Sequence, residues 1–354
     1  MKIGVALFRL RPERMAAVAR HAEGLGFESV WVPEHLVLPT HITSRYPYAP
    51  DGVAPFSPDA PHLDPLVLLT HVAAATARIR LGTSVYLLPL RHPLVTARLA
   101  MSLDVLSGGR LTLGVGVGWL AEEFQAAGID FQTRAARTRE CVRALRTLWT
   151  ETEPEFHGRF FSFGPLRFEP KPVQQPHPPI VFGGETEAAL RRAAALGDGW
   201  YGVGHTPESA AVQATKLRAL LAAAGRGAAP FELTVSHAGG VLEPDAVRRY
   251  AGAGIARVVV LPWQRGREAE EALARQAAAQ AGKLRALLAA AGRGAAPFEL
   301  TVSHAGGLLT PDDVRRYTDA GIARVVVLPW QRGSEAEEAL ARQAAALGLS
   351  GGAM

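Results

Sequence analysis

A near-perfect internal repeat limits this chain more than any other feature. Residues 216–279 recur at 283–346, offset by 67, and differ at six of 64 positions: Val241/Leu308, Glu243/Thr310, Ala246/Asp313, Ala251/Thr318, Gly252/Asp319 and Arg267/Ser334. Solenoid repeats drift apart because each copy needs only its hydrophobic frame, whereas here the loop residues match too. The pattern is that of a recent tandem duplication or of an error of sequence assembly. Removing one period of 67 from the 354 residues leaves 287, the length of one α/β barrel rather than of two domains.

Short β-branched runs alternate with Ala/Leu/Arg-rich helical stretches, the signature of βα units around a parallel sheet. Strands are predicted at 2–8, 29–33, 79–87, 111–117, 180–182, 200–203, 232–236 and 257–261, each followed by helical sequence. Eight such units close a (β/α)8 TIM barrel at Leu261, so the first repeat copy supplies its last two units. The expected organisation is a barrel over 1–279, a spare β-α-β-α copy over 283–346 and a flexible tail over 347–354. Chain order also allows 268–291 to fuse into one long helix across Gly282. A loop over 36–63, rich in Pro, Tyr, Ser and Asp, has the length of a functional lid or of a disordered excursion.

Composition excludes several classes. The lone Cys141 makes no internal disulfide and lies on the apolar stripe of a helix, and neither a secretory h-region nor an apolar run of about 18 residues occurs. A cytoplasmic protein without a membrane partner is expected. The net charge of +5 comes from scattered Lys and Arg with no basic, aromatic-interleaved stretch, so nucleic acid is not an expected partner. No metal-ligand spacing and no G-x-S-x-G elbow appear.

In such a barrel the working face lies at the carboxyl ends of the strands. Strand 2 ends in Pro33-Glu34-His35, a carboxylate beside an imidazole: a candidate proton-transfer pair or a pair of rim residues. Strand 3 ends at Ser84, Val85 and Tyr86. Strand 4 carries Gly114, Gly116 and Gly118 before Trp119 and a helix with Glu122 and Glu123. That spacing is not a dinucleotide fingerprint, but it permits a flat ligand to approach the backbone, or tight packing of strand on helix. Strand 5 ends in Gly183-Gly184-Glu185-Thr186 and opens a helix, the form of a phosphate cradle or of a plain capped turn. His237, after strand 7, is either a substrate contact or a hydrogen-bonded core residue.

Taken together, His92-Pro93, the stretch from Ser107-Gly108-Gly109-Arg110-Leu111 to Gly118-Trp119 with Glu123, Arg139-Glu140, Phe156-His157-Gly158, Pro170-Lys171-Pro172, Pro178-Pro179-Ile180, Gly183-Gly184 and Gly197-Asp198-Gly199-Trp200 resemble the signature of the luciferase-like monooxygenase superfamily. The resemblance covers about residues 1–279. The strand end Trp31-Val32-Pro33-Glu34-His35 looks most like the branch that uses the deazaflavin coenzyme F420, with Glu34 where that branch commonly has Asp. Trp119 departs from the acid that sugar-phosphate-oxidising members carry.

The resemblance implies an F420-dependent oxidoreductase. Ser84-Val85 would form a cis peptide against the ring. Ser84, Val85, Gly116, Gly118, Gly183, Gly184 and Thr186 would hold the cofactor, and His35 with Glu34 would manage the proton. Tyr46, Trp119 and His237 would meet the substrate under the lid, which also carries Tyr48 and Phe56. The alternatives are an FMN-dependent monooxygenase fed by a partner flavin reductase, and a non-catalytic flavin-binding relative. A homodimer is expected from the family.

Overall fold

Eight parallel strands close on themselves. β1 (Lys2–Ala6), β2 (Ser29–Val32), β3 (Arg80–Thr83), β4 (Leu111–Gly116), β5 (Ile180–Gly183), β6 (Gly199–His205), β7 (Glu232–His237) and β8 (Arg257–Val260) pair in that order, and β8 returns to β1 with Lys2 opposite Arg257. The computed structural model describes residues 1–54, 56–290, 301–304 and 324–327. The third strand departs from its expected span: it stops at Thr83 and resumes at Tyr86–Leu87, still paired to β4, and the Ser84-Val85 peptide between the two pieces is cis.

The helices start and stop where their sequences instruct them. α1 (Pro12–Gly24), α2 (Pro65–Ala74) and α3 (Pro93–Ser107) each open on a proline, whose missing N–H costs nothing in the first turn. Asp64 caps α2 by accepting from the N–H groups of Leu66 and Val67, and Gly108 closes α3 in the left-handed region at φ 66°. Then come α4 (Ala121–Ala126), α5 (Arg134–Thr150), α6 (Glu187–Leu196), α7 (Pro207–Ala223), α8 (Pro244–Gly252) and α9 (Ala269–Ala290). Their apolar faces and the outward faces of the strands form the main core. Cys141 sits within it, wholly buried, its thiol pushed up to about 12 by burial.

A second, smaller apolar cluster of Trp31, Val181, Tyr201 and Val259 packs apart from that main core. Trp31 is accommodated because its neighbours lack side chains: a Cβ on Gly82 would stand 2.4 Å from the indole, and one on Gly4 would stand 2.9 Å from its Nε1. Arg257, at the start of β8, is 1% exposed; it donates to both Glu28 oxygens at 2.7 and 2.8 Å and also pairs with Glu232. An ion cluster thereby ties together the amino-terminal ends of β2, β7 and β8.

The first repeat copy thus provides β7 and β8. α9 runs continuously through Gly282. In the second copy, β9 (Thr301–His304) and β10 (Arg324–Val327) form a two-stranded parallel sheet of their own. Their register, Thr301 opposite Arg324, is the one that sets Thr234 opposite Arg257 in the barrel. Apart from residues 283–290, which belong to α9, the remainder of that copy and the expected tail over 347–354 lie outside the described residues.

Candidate active site

A cavity of about 770 Å³ opens at the carboxyl ends of the strands, and it is lined by the residues expected to meet proton, cofactor or substrate, while Tyr86, Gly114, Glu122 and Glu123 of the same strand ends do not line it. At the break in the third strand, Val85 is seated between two glycines. A Cβ on Gly116 would meet its Cγ2 at 2.4 Å, and one on Gly183 its Cγ1 at 2.8 Å. Two glycines at these strand ends therefore serve the close approach of one valine. Tyr201 hydrogen-bonds Ser84 and Ser236, and burial raises its hydroxyl to about 12.

His35 stands on the rim after β2. Its Nδ1 lies 3.2 Å from Oε2 of Glu123, which is fully buried, and the other oxygen of Glu123 accepts from the N–H groups of Leu36 and Val37 at 2.5 and 3.3 Å. The adjacent acid, Glu122, accepts from the backbone and hydroxyl of Thr43 and of Ser44, and the Ser44 hydroxyl accepts in turn from Ala121 N–H at the start of α4. Two successive carboxylates in one helical turn thus anchor the first part of the lid. The sequence reading placed both acids on this helix without a function for them.

Glu34 is turned to a different partner. Its carboxylate pairs with Arg91, which also reaches Asp64 at 3.1 Å, and accepts from Leu87 N–H at 2.5 Å. Burial raises the Glu34 carboxyl to about 7, outweighing the opposing pull of Arg91 and the Leu87 N–H. The two members of the expected pair are therefore held by different acid–base networks.

Two cations, Arg134 and Arg192, also line the cavity. Gly184, with φ 114°, passes its carbonyl to Trp200 Nε1, and Thr186 accepts from Ala189 N–H as the N-cap of α6, so the capping role proposed for it is realised. Arg134, at the start of α5, stacks 3.7 Å over Phe131, and Arg192 reaches in from α6 with a buried Nε that has no hydrogen-bond partner. Burial, and then the neighbouring charges of Arg139 and Arg134, lower the pKa of Arg192. Arg134 donates to the Phe131 carbonyl at 2.8 Å, and neither arginine is paired with a carboxylate among the described residues, so the two could hold an anion beside the helix N-terminus. Neither arginine was singled out from the sequence. α5 carries Arg134, Arg137, Arg139, Arg143 and Arg146, and only the phase of the helix against the barrel decides which one reaches the cavity.

His237 is half-buried. The Tyr250 hydroxyl donates to the His205 carbonyl at 2.5 Å, so the 3.0 Å contact from His237 Nδ1 to that hydroxyl is a donation by the ring. Burial lowers the pKa of His237. His205 bridges Glu185 and Ser209 at 3.0 Å each. Among the described residues no group of three or more His, Cys, Asp or Glu could hold a metal ion, and no helix is long and apolar enough to cross a membrane.

The luciferase-like monooxygenase family matches residues 4–302. An uncharacterized protein of Mycobacterium tuberculosis is 37% identical over 266 residues, 73% of this chain and 91% of its own. An F420-dependent glucose-6-phosphate dehydrogenase of Kineococcus radiotolerans is 35% identical over 193 residues, 53% of this chain and 52% of its own. An FMNH(2)-dependent dimethylsulfone monooxygenase of Pseudomonas putida is 34% identical over 163 residues, 45% of each chain. Among solved structures, an F420-dependent secondary alcohol dehydrogenase superposes with a TM-score of 0.56 at 19% identity, covering 98% of both chains, a likeness of fold.

Proposed function

The chain belongs to the luciferase-like monooxygenase family, and from that premise we propose that it is an F420-dependent oxidoreductase moving hydride between the deazaflavin ring and a small organic substrate. The observation that carries the reading is the His35–Glu123 pair at the cavity wall. An alcohol that loses hydride from carbon must lose a proton from oxygen, and His35 is placed to take it. Glu123 holds Nδ1, steadies the ring and stabilises the charge that develops there, which leaves Nε2 to exchange the proton. Glu34 is a positioning residue on this reading. It fixes the end of β2 and, through Leu87, the strand that resumes after Val85.

A phosphorylated flavin-type cofactor suits the residues present. The orphaned Nε of Arg192, with Arg134 and the opening turn of α6, would hold its phosphate beside Gly183, Gly184 and Thr186. Val85 would back the ring, with Ser84, Gly116 and Gly118 close to it. When bound, the deazaflavin supplies the ring carbon that accepts or returns the hydride. The lid, whose half-buried Tyr46 lines the cavity, shields the site from water.

The 34% identity to an FMNH(2)-dependent enzyme supports a second reading, an FMN-dependent monooxygenase that receives reduced flavin from a partner reductase. On either reading the protein acts as a homodimer, which sedimentation would check. Titration with each cofactor separates the two: micromolar or tighter F420 binding is expected, and tight FMN binding with none of F420 overturns the first reading. With F420 bound, His35→Ala is expected to lower turnover about 10²- to 10⁴-fold while retaining the cofactor. Unchanged turnover would remove His35 from the reaction.

A further inference from the structure

Arg91 joins the two ends of the lid. Its side chain is 12% exposed, and its guanidinium stacks over the Tyr86 ring at 4.5 Å. Nη1 pairs with Glu34, two residues before the lid begins, and Nη2 donates at 3.1 Å to Oδ2 of Asp64, the residue that follows the lid. Asp64 divides its oxygens: Oδ1 caps α2, accepting from the N–H groups of Leu66 and Val67 at 2.9 and 3.2 Å, and Oδ2 is left to Arg91. Burial works against the charge on Arg91, and Glu34, Tyr86 and Asp64 outweigh it, so the guanidinium is held above its ordinary pKa.

The two halves of the lid are anchored differently. The first half is strapped to α4 through Glu122 and Glu123. Among the described residues, those at 56–63 hydrogen-bond only one another, as in Ala60 N–H to the Ser57 carbonyl and His62 Nδ1 to the Ala60 carbonyl. Yet this half carries two rings that lie against His35, Phe56 at 5.1 Å and His62 at 6.0 Å between centroids. Ring contacts are individually weak and leave such a segment free to lift. The polar anchor of the second half is therefore Asp64 on Arg91, and through Arg91 it is tied to Glu34, the residue before His35.

We propose that Arg91 is a positioning residue that clamps the root of the lid: by holding Asp64 against Glu34 it sets Phe56 and His62 against His35 and shields the imidazole that exchanges the proton. A lysine does not replace it, because an ammonium is a single point charge, whereas the planar fork meets two carboxylates from different directions. The proposal takes from the oxidoreductase reading only the role of His35, and its test needs neither cofactor nor substrate.

Diethylpyrocarbonate treatment of the full chain at neutral pH, followed by peptide mass spectrometry, gives the modification rate of each histidine. His35 and His177 are matched, each with a side chain 9% exposed, and His177 packs on Trp149 ahead of β5, so it registers any general loosening. Asp64→Asn is the decisive variant: asparagine keeps an oxygen for the α2 cap and turns an amide toward Arg91. It is expected to speed modification of His35 at least about fivefold and to leave His177 within about twofold of the parent, and Arg91→Lys is expected to do the same. An unchanged His35 rate in either variant, or equal acceleration at His35 and His177, overturns the proposal. So does acceleration by Asp64→Ala but not by Asp64→Asn, since the cap alone would then account for Asp64. A His35 bared by Asp64→Asn in a protein that takes up neither F420 nor FMN would instead overturn the cofactor reading and leave the clamp standing.

Discussion

Glu34 and His35 are neighbours in sequence and belong to different networks, and a pH titration separates them. The Glu34 carboxyl is raised from its ordinary 4.5 to about 7 by burial, so the folded protein holds that proton more tightly than the unfolded chain does. Its contribution to stability is therefore fully present below about pH 4.5 and is lost as the pH rises through 7. Glu34→Gln keeps the shape and removes the titration. The stability of the parent relative to Glu34→Gln is expected to fall between pH 4.5 and 7, by at most about 3 kcal/mol, and to level off above that range. Urea unfolding of both proteins at several pH values measures it. A difference that does not change with pH would mean that Arg91 keeps the carboxylate ionised throughout. At this scale the sequence discloses His35, because an imidazole at a strand's carboxyl end faces the working side of any barrel. It conceals the partner, because Glu123 lies 88 residues away and is brought close only when β2 and β4 take their places in the barrel.

At the scale of elements, the lid and α4 act together. A loop of this length rarely stays ordered on its own contacts, and here it is strapped at two points: Glu123 to Leu36 and Val37, and Glu122 to Thr43 and Ser44. The hydrogen bonds from Thr43 and Ser44 lower the Glu122 carboxyl to about 2 against the effect of burial, so the strap holds above pH 4.5 and loosens as the pH falls toward 2. Glu122→Ala should release the lid at neutral pH while leaving the barrel folded. Hydrogen exchange over 38–46 is expected to accelerate at least about tenfold, and the substrate KM to rise more than kcat falls. Unaltered exchange would assign the ordering of the lid to its aromatic contacts instead. The element order was legible because strand and helix periodicities alternate and because Pro and Asp or Thr mark the helix starts. The break in the third strand could not be read from periodicity, since Ile79 to Leu87 is apolar throughout enough of its length to pass for one strand. Only the family resemblance pointed to the Ser84-Val85 peptide.

For the whole molecule the question is which copy of the repeat the barrel uses. β7 and β8 occupy their slots through Glu232, Thr234 and Arg257, and the Arg257 cluster with Glu28 binds them to β2. The second copy pairs β9 with β10 in the same register, yet in a sheet separate from the barrel. Identical sequence in two settings gives an asymmetry that mutation can read. Removing one partner of a buried ion cluster leaves the others uncompensated, so Arg257→Ala is expected to cost about 3–5 kcal/mol of barrel stability, whereas Arg324→Ala, the same change one period later, should cost less than about 0.5 kcal/mol. Denaturant unfolding followed by the fluorescence of the buried Trp31, Trp149 and Trp200 reports on the barrel. A small effect of Arg257→Ala that becomes large when residues 280–346 are also deleted would mean that the second copy can enter the barrel in place of the first. A large effect with or without that deletion makes the second copy a passenger, and the 287-residue barrel the functional unit.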